Sequence, residues 1–247
     1  MKDNTFKDTH EYKDFINISG EEERFVAMLD IMGFKKMVES KSSDEIYDLF
    51  CKVDTNKIIT EKNMGPIWTM VFSDTIIIVT NSIEKADLFA ITVASIMYHR
   101  LFFDNGYALN GGISMGKVRV DKEKNILFGK PIIDAHILQE KLYYYGIAFS
   151  HEMNTFLDNL SLNSVIPGCM HPIIKKQIPI KSENRTNWEE YYHLDIIDLW
   201  GVSSIKNLFT PTDPIKSIQQ RLDNISINCT TERAMQYLNN TRTVLQL

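Results

Sequence analysis

Two aspartates stand where folding alone gives little reason for a charge. In RFVAMLDIMGFKK (Arg24 to Lys36) an apolar run ends on Asp30 and turns at Gly33; in WTMVFSDTIIIVT (Trp68 to Thr80) Ser73-Asp74 separates two apolar runs. An ionised carboxylate at the edge of a core is costly unless something pairs with it. For two such acids the missing partner is a cation. Hard oxygen ligands suit Mg²⁺ or Mn²⁺, which keep their remaining positions for water and substrate phosphates. The turn Met32-Gly33-Phe34 adds backbone N–H groups at a helix start, a cradle for a triphosphate, and Gly33 permits close backbone approach. The simpler reading is that each Asp caps a turn or a helix. It is the better account of either acid alone, and the weaker account of both together.

For the two carboxylates to converge, the strand over 25–31 must lie beside a hairpin formed by 67–72 and 75–80, with Ser73-Asp74 at its turn. The first strand is apolar on both faces, as a central strand is. Ile46, Leu49, Phe50 and Val53 make one helical stripe; Leu88, Ile91, Ser95, Tyr98 and Phe102 make another, after Asn81-x-x-Glu84, which has the form of a capping box. LNGGISMGKVRV (109–120) reads as a glycine-rich strand or strand pair. Gly129-Lys130-Pro131 opens a helix through Ala135, Leu138 and Leu142, and a short strand over 146–150 closes the set. The order defines an α+β fold, a ferredoxin-like βαββαβ core. Beyond about residue 160, Pro167, Pro172 and Pro179 interrupt the pattern, 191–197 alternates like a strand, and helices start at Asp213-Pro214 and span 231–247. The expected organisation is a polar lead-in over 1–20, a core over 21–160, and a C-terminal elaboration over 161–247 packed on the same sheet.

Composition narrows the class. The chain has 247 residues, 44% of them hydrophobic and 24% charged, so it folds as a globular protein. A net charge of −5 lacks the basic field of a nucleic-acid binder. Cys51, Cys169 and Cys229 are odd in number and widely spaced, giving neither a disulfide framework nor a CxxC zinc site. With a polar N-terminus and no 18-residue apolar run, the expectation is a cytoplasmic protein that does not enter a membrane.

LDIMGF, then FSDT in a hairpin, then GGISMGKV and FGKPIIDAHILQE together resemble the class III nucleotidyl cyclases over residues 25–150. The resemblance implies active sites shared between two antiparallel protomers. It also implies attack of a ribose 3′-hydroxyl on the α-phosphorus with release of pyrophosphate. Asp30, Asp74 and the carbonyl of Ile31 match positions that hold two divalent metals, and Lys117 matches one that grips the triphosphate.

Four positions depart from the purine-specific pattern. Met70 and Ile126 stand where polar side chains read the base, and neither hydrogen-bonds a purine edge. Ile133 and Ile137 replace the usual Asn and transition-state Arg, leaving Arg119 and Lys141 as candidates for the missing charge. These departures, with the late AMQYLNNTRTVLQ helix, resemble the bacterial pyrimidine nucleotide cyclases of the Pycsar anti-phage system. That resemblance implies UTP or CTP as substrate, cyclic UMP or cyclic CMP as product, and a downstream effector activated by it. Three other readings stand beside it: a catalytically silent nucleotide-binding regulator, an interaction protein whose acids are caps, and, as the least of them, a purine cyclase with a rebuilt pocket. Nothing else in the sequence competes. His99, His136 and His171 lack metal-ligand spacing, Ser150-His151 lacks a triad context, and Tyr143-Tyr144-Tyr145, read as consecutive helical positions, packs core or interface rather than a base.

Overall fold

The structure, a computed structural model, describes residues 18–53, 65–160, 172–183, 186–197, 214–227 and 229–247. The chain runs β1 (Gly20–Met32), α1 (Phe34–Ser40), α2 (Ser43–Cys51), β2 (Ile67–Phe72), β3 (Thr75–Thr80), α3 (Lys85–Asp104), β4 (Ala108–Asp121), β5 (Ile126–Phe128), α4 (Lys130–Lys141) and β6 (Ile147–Phe149). After a short turn of 3-10 helix come α5 (Asn154–Asp158), β7 (Ile173–Lys181), β8 (Thr186–Leu194), α6 (Pro214–Ile227) and α7 (Glu232–Leu245). The eight strands form one sheet in the order β2-β3-β1-β4-β6-β8-β7, with β5 added to β4. The first four in that order are the ferredoxin-like arrangement. β1 lies between β3 and β4, antiparallel to both, and β4 runs parallel to β6.

The alternation of β1 divides its side chains between two cores. Phe25, Ala27, Leu29 and Ile31 join the main core beneath α3. Val26 joins a smaller cluster with Val79, Val118 and Val120, against which Met28 packs. Asp30 follows that second set in period. The two glycines of the Gly111-Gly112 pair serve opposite faces. A Cβ at Gly111 would come within 2.4 Å of Leu29 Cδ2, and one at Gly112 within 2.2 Å of the Ala135 carbonyl. Helix α4 therefore lies directly on β4 because position 112 has no side chain.

Helix α3 is buried on all sides from Asp87 to Phe103 except at Phe89. Its surroundings explain this: the sheet lies on one side, with α6 and α2 also packed on it, Phe50 meeting Phe102 edge-on at 5.6 Å. The helix is long and apolar enough to cross a membrane, yet its apolar window is 89% buried within the protein, as a core helix is.

Several local expectations change. The capping box at Asn81-x-x-Glu84 does not form; Glu84 is the N-cap of α3 without a side-chain bond. Ser82 takes over, donating to Asp87 at 2.7 Å and accepting from the Glu84 N–H at 3.3 Å. A complete capping box does form at Ser42 and Glu45. The alternation at 191–197 is the end of a longer strand that stops at Leu194, where Asp195 accepts from the Ile197 N–H at 3.0 Å and turns the chain. Pro179 does not break structure: it lies inside β7, at the sheet edge where a missing N–H is tolerated. Tyr143 to Tyr145 follow the end of α4 at Lys141 instead of continuing it. Pro167, Cys169 and His171 lie outside the described residues.

Candidate active site

Asp30 makes the last pair of β1 with β3, opposite Thr75, and lies opposite Asn110 on β4, two pairs before that ladder ends at Met32. Asp74 occupies the tight β2–β3 turn, where Ser73 takes a left-handed φ of 57°. The two ends are tied by main chain: the Ile31 N–H donates to the Asp74 carbonyl at 2.9 Å. A residue's N–H and C=O point to the same side of an antiparallel strand, so the Ile31 carbonyl also faces the Asp74 turn. Gly33 turns the chain out of β1 with φ +81°, a conformation that favours glycine, and begins α1 as its N-cap.

The electrostatics show Asp30 short of a counter-charge. Asp30 is half-buried, and its carboxyl is pushed up to about 6, first by loss of water and then by the charge of Asp74. Lys181 and His136 oppose that rise, and Glu140 adds to it. An acid raised by burial and by a second acid is one that a cation would stabilise. Among the described residues no group of three or more His, Cys, Asp or Glu forms a metal cage. Two carboxylates and a carbonyl, with phosphates completing the shell, are instead what Mg²⁺ or Mn²⁺ takes. The donor set fits.

Asn110 and Lys181 are members of this neighbourhood that the sequence reading did not single out. Asn110 is fully buried beside Asp30 and exchanges hydrogen bonds with Gln139, its Nδ2 donating to the Gln139 carbonyl at 3.2 Å and its Oδ1 accepting from Gln139 Nε2 at 3.2 Å. It pins the C-terminal end of α4 next to the acid. Lys181, at the end of β7, donates to the Glu140 main-chain carbonyl and lies 5.3 Å over the Tyr237 ring. A buried Asn within a glycine-rich strand was a readable signal; Lys181, 151 positions from Asp30 along the chain, gave none.

Other candidates are placed elsewhere. Lys117 lies opposite Glu23, seven residues along β4 from Asn110, about 23 Å at ordinary strand rise. Arg119 is two residues further still, opposite Glu21. Within one chain neither reaches Asp30. Lys141 is exposed at the last turn of α4, and Ile133 and Ile137 are 59% and 42% exposed on that helix. Met70 on β2 and Ile126 on β5 are separated by β3, β1 and β4. Met32 and Phe34 flank Gly33 and are half-buried.

The remaining singled-out groups are structural. His99 is fully buried, stacked 4.4 Å from Phe103, and burial pulls its imidazole down to about 4. His136 is exposed, 3.8 Å from Glu140. His151 stacks on Tyr191 at 4.1 Å. Tyr145 stacks on Tyr237 at 5.5 Å and Tyr143 meets the same ring edge-on, so the tyrosine run anchors α7. Cys51 and Cys229 are free thiols.

The fold has known relatives among solved structures. The dimeric guanylyl cyclase domain of the RhoGC fusion protein from the aquatic fungus Blastocladiella emersonii superposes with TM-score 0.50 at 13% identity, covering 72% of this chain and 98% of that domain. A monomeric form of the same guanylyl cyclase domain gives 0.49 at 12% identity, covering 71% and 96%. The adenylyl cyclase CyaB from P. aeruginosa gives 0.48 at 18% identity, covering 70% and 94%. No protein-family model matches the chain. No curated protein matches it either. The fold is thus the one that the RhoGC guanylyl cyclase domain has, spanning 72% of this chain.

Proposed function

We propose that this chain is a nucleotidyl cyclase that converts UTP to 3′,5′-cyclic UMP and pyrophosphate, with CTP to cyclic CMP as the competing assignment. One observation carries the reading: the β1–β3 register and the Ile31–Asp74 main-chain bond bring Asp30 and Asp74 to one place in a cyclase fold. Asp30, Asp74 and the Ile31 carbonyl would hold two divalent cations, Mg²⁺ or Mn²⁺. Such ions lower the pKa of a ribose hydroxyl and offset charge on a leaving pyrophosphate. Met32, Gly33 and Phe34 receive the triphosphate from the main chain.

The placement of the other candidates supports a homodimer with shared sites. The acids occupy one end of the β1–β4 ladder; Lys117, Arg119 and Ile126 occupy the other. Two antiparallel copies bring unlike ends together. Exposed Ile126, Phe128, Ile133 and Ile137 offer apolar surface for that contact. Met70 and Ile126, both without polar atoms in the side chain that could read a purine edge, support a pyrimidine base. The sequence resemblance supports the cellular role: synthesis in the cytoplasm of a messenger that activates an anti-phage effector.

The deciding test incubates the purified protein with Mn²⁺ and each of ATP, GTP, CTP and UTP, and identifies products by mass spectrometry. Cyclic UMP is expected; cyclic CMP would reassign the base, and cyclic AMP or GMP would overturn the pyrimidine reading. A second reading, a silent nucleotide-binding regulator, is favoured by the apolar Ile133 and Ile137 on α4. Mn²⁺-dependent nucleotide binding with no cyclic product from any of the four would select it.

A further inference from the structure

In a chain of net charge −5, one pocket is lined by three cations and, among its described residues, by no carboxylate. It measures about 510 Å³, a size ordinary for small-molecule sites. Lys35 and Lys36 come from α1, Arg233 from the first turn of α7, and Met32 and Gly33 form the wall nearest Asp30. Asp30 precedes Met32 by two residues, about 7 Å along the strand. A Cβ placed at Gly33 would meet nothing within 4 Å, so the way over that residue is open.

Neither Lys35 nor Arg233 is held in a buried ion pair among the described residues. Lys35 has one exposed partner, Glu39, at 3.9 Å, a contact of small worth. Arg233 forms no ion pair among the described residues. Its neighbours are Tyr237, one turn further along α7 and also lining the pocket, and Lys181, whose ammonium lies 5.3 Å over the same ring. Burial and the nearby Arg233 both hold the Lys181 ammonium below its usual range. Lys181 and Arg233 thus stand together beside an open pocket, with Glu140 and Asp30 the acids that act on Lys181.

We propose that the polyphosphate of the substrate passes over Gly33 into this pocket and that Arg233 grips it, with Lys181, Lys35 and Lys36 completing the positive field. The inference rests on the nucleotide reading above and extends it: α7, far from the acids in sequence, becomes a wall of the substrate site. The fork of a guanidinium matches a phosphate in two hydrogen bonds.

The probe is inorganic tripolyphosphate, titrated by calorimetry into the full-length protein with Mn²⁺ present. Arg233→Ala is expected to weaken tripolyphosphate at least about ten-fold, and to flatten its salt dependence, while Mn²⁺ binding alone stays unchanged. Arg233→Lys should recover part of the affinity. Unchanged tripolyphosphate affinity in Arg233→Ala would overturn the proposal. If Arg233→Ala fails to fold, Arg233→Gln, which keeps a donor for Tyr237, carries the same test. A nucleoside triphosphate must compete with tripolyphosphate; simultaneous binding of both would show a separate anion site and overturn the shared path. Absence of any cyclic product, with Arg233-dependent competition intact, would sink the cyclase reading and leave this inference standing.

Discussion

The two ends of the β1–β4 ladder are built from the same hydrogen-bonded ribbon, yet treat charge in opposite ways. At one end Glu21, Glu22 and Glu23 are exposed, and Glu23 and Glu21 face Lys117 and Arg119 across the strands. Those three glutamates lie in water, so none of them asks for a cation. At the other end Asp30 is half-buried between Thr75 and Asn110, and the charge that acts on it most strongly, Asp74, has the same sign. The first end does nothing against the fold. The second does: burial and the like charge of Asp74 both act against an ionised Asp30, the pattern expected of a candidate functional site.

The sharpest break of that comparison is removal of one acid. Asp74→Asn should lower cyclisation about a thousandfold or more, since metal-held charge stabilisation is worth several kcal/mol. Its circular dichroism should be unchanged, because Asp74 contributes to the fold through its main-chain carbonyl. A steady-state assay that finds retained turnover removes the two-metal site.

Next in size is trans-complementation between the ends. Asp74→Asn and Lys117→Ala should each be inactive alone. Mixed in equal amounts they should recover about a quarter of wild-type activity, because half the dimers then carry one intact site. No recovery on mixing would confine each site to one chain.

Gly112→Ala should cost about 1–3 kcal/mol in thermal unfolding. The added Cβ meets the Ala135 carbonyl, and the helix must lift from the strand that carries Asn110.

The smallest effect runs in the stabilising direction. The Asp30 carboxyl titrates at about 6 in the fold against an ordinary value of 3.8. Its contribution to stability is therefore whole below pH 3.8 and is lost as pH rises through 6. Asp30→Asn should raise metal-free stability at pH 7.5 by up to about 2 kcal/mol after allowance for solvent screening. The gain should vanish near pH 4, as a series of melting curves across pH would show. Glu23→Gln at the opposite end should change stability by less than about 0.5 kcal/mol.

How much of this was legible depended on range. Asp30, Gly33 and the Ser73-Asp74 turn announce themselves because each breaks an apolar run within a few residues. The order of strands followed from the alternation of strand-like and helix-like periods, which is also local. Motif position alone marks Lys117 as a triphosphate ligand, and register places it far from the acids within its own chain. Lys181 and Arg233 were illegible for the opposite reason. They come beside Tyr237 on a hairpin and a helix that arrive late in the chain, and no short-range pattern encodes that arrival. Pro179 misled because a proline breaks most strands, but not one at an edge.

The bond between the Ile31 N–H and the Asp74 carbonyl has a consequence for descent. It is made of backbone, so it belongs to every sequence that keeps this hairpin, whatever side chains positions 30 and 74 carry. A lineage that lost both acids would still present the two positions side by side. Silencing this site would take one codon change, and returning it to use at most two, with no rebuilding of the sheet.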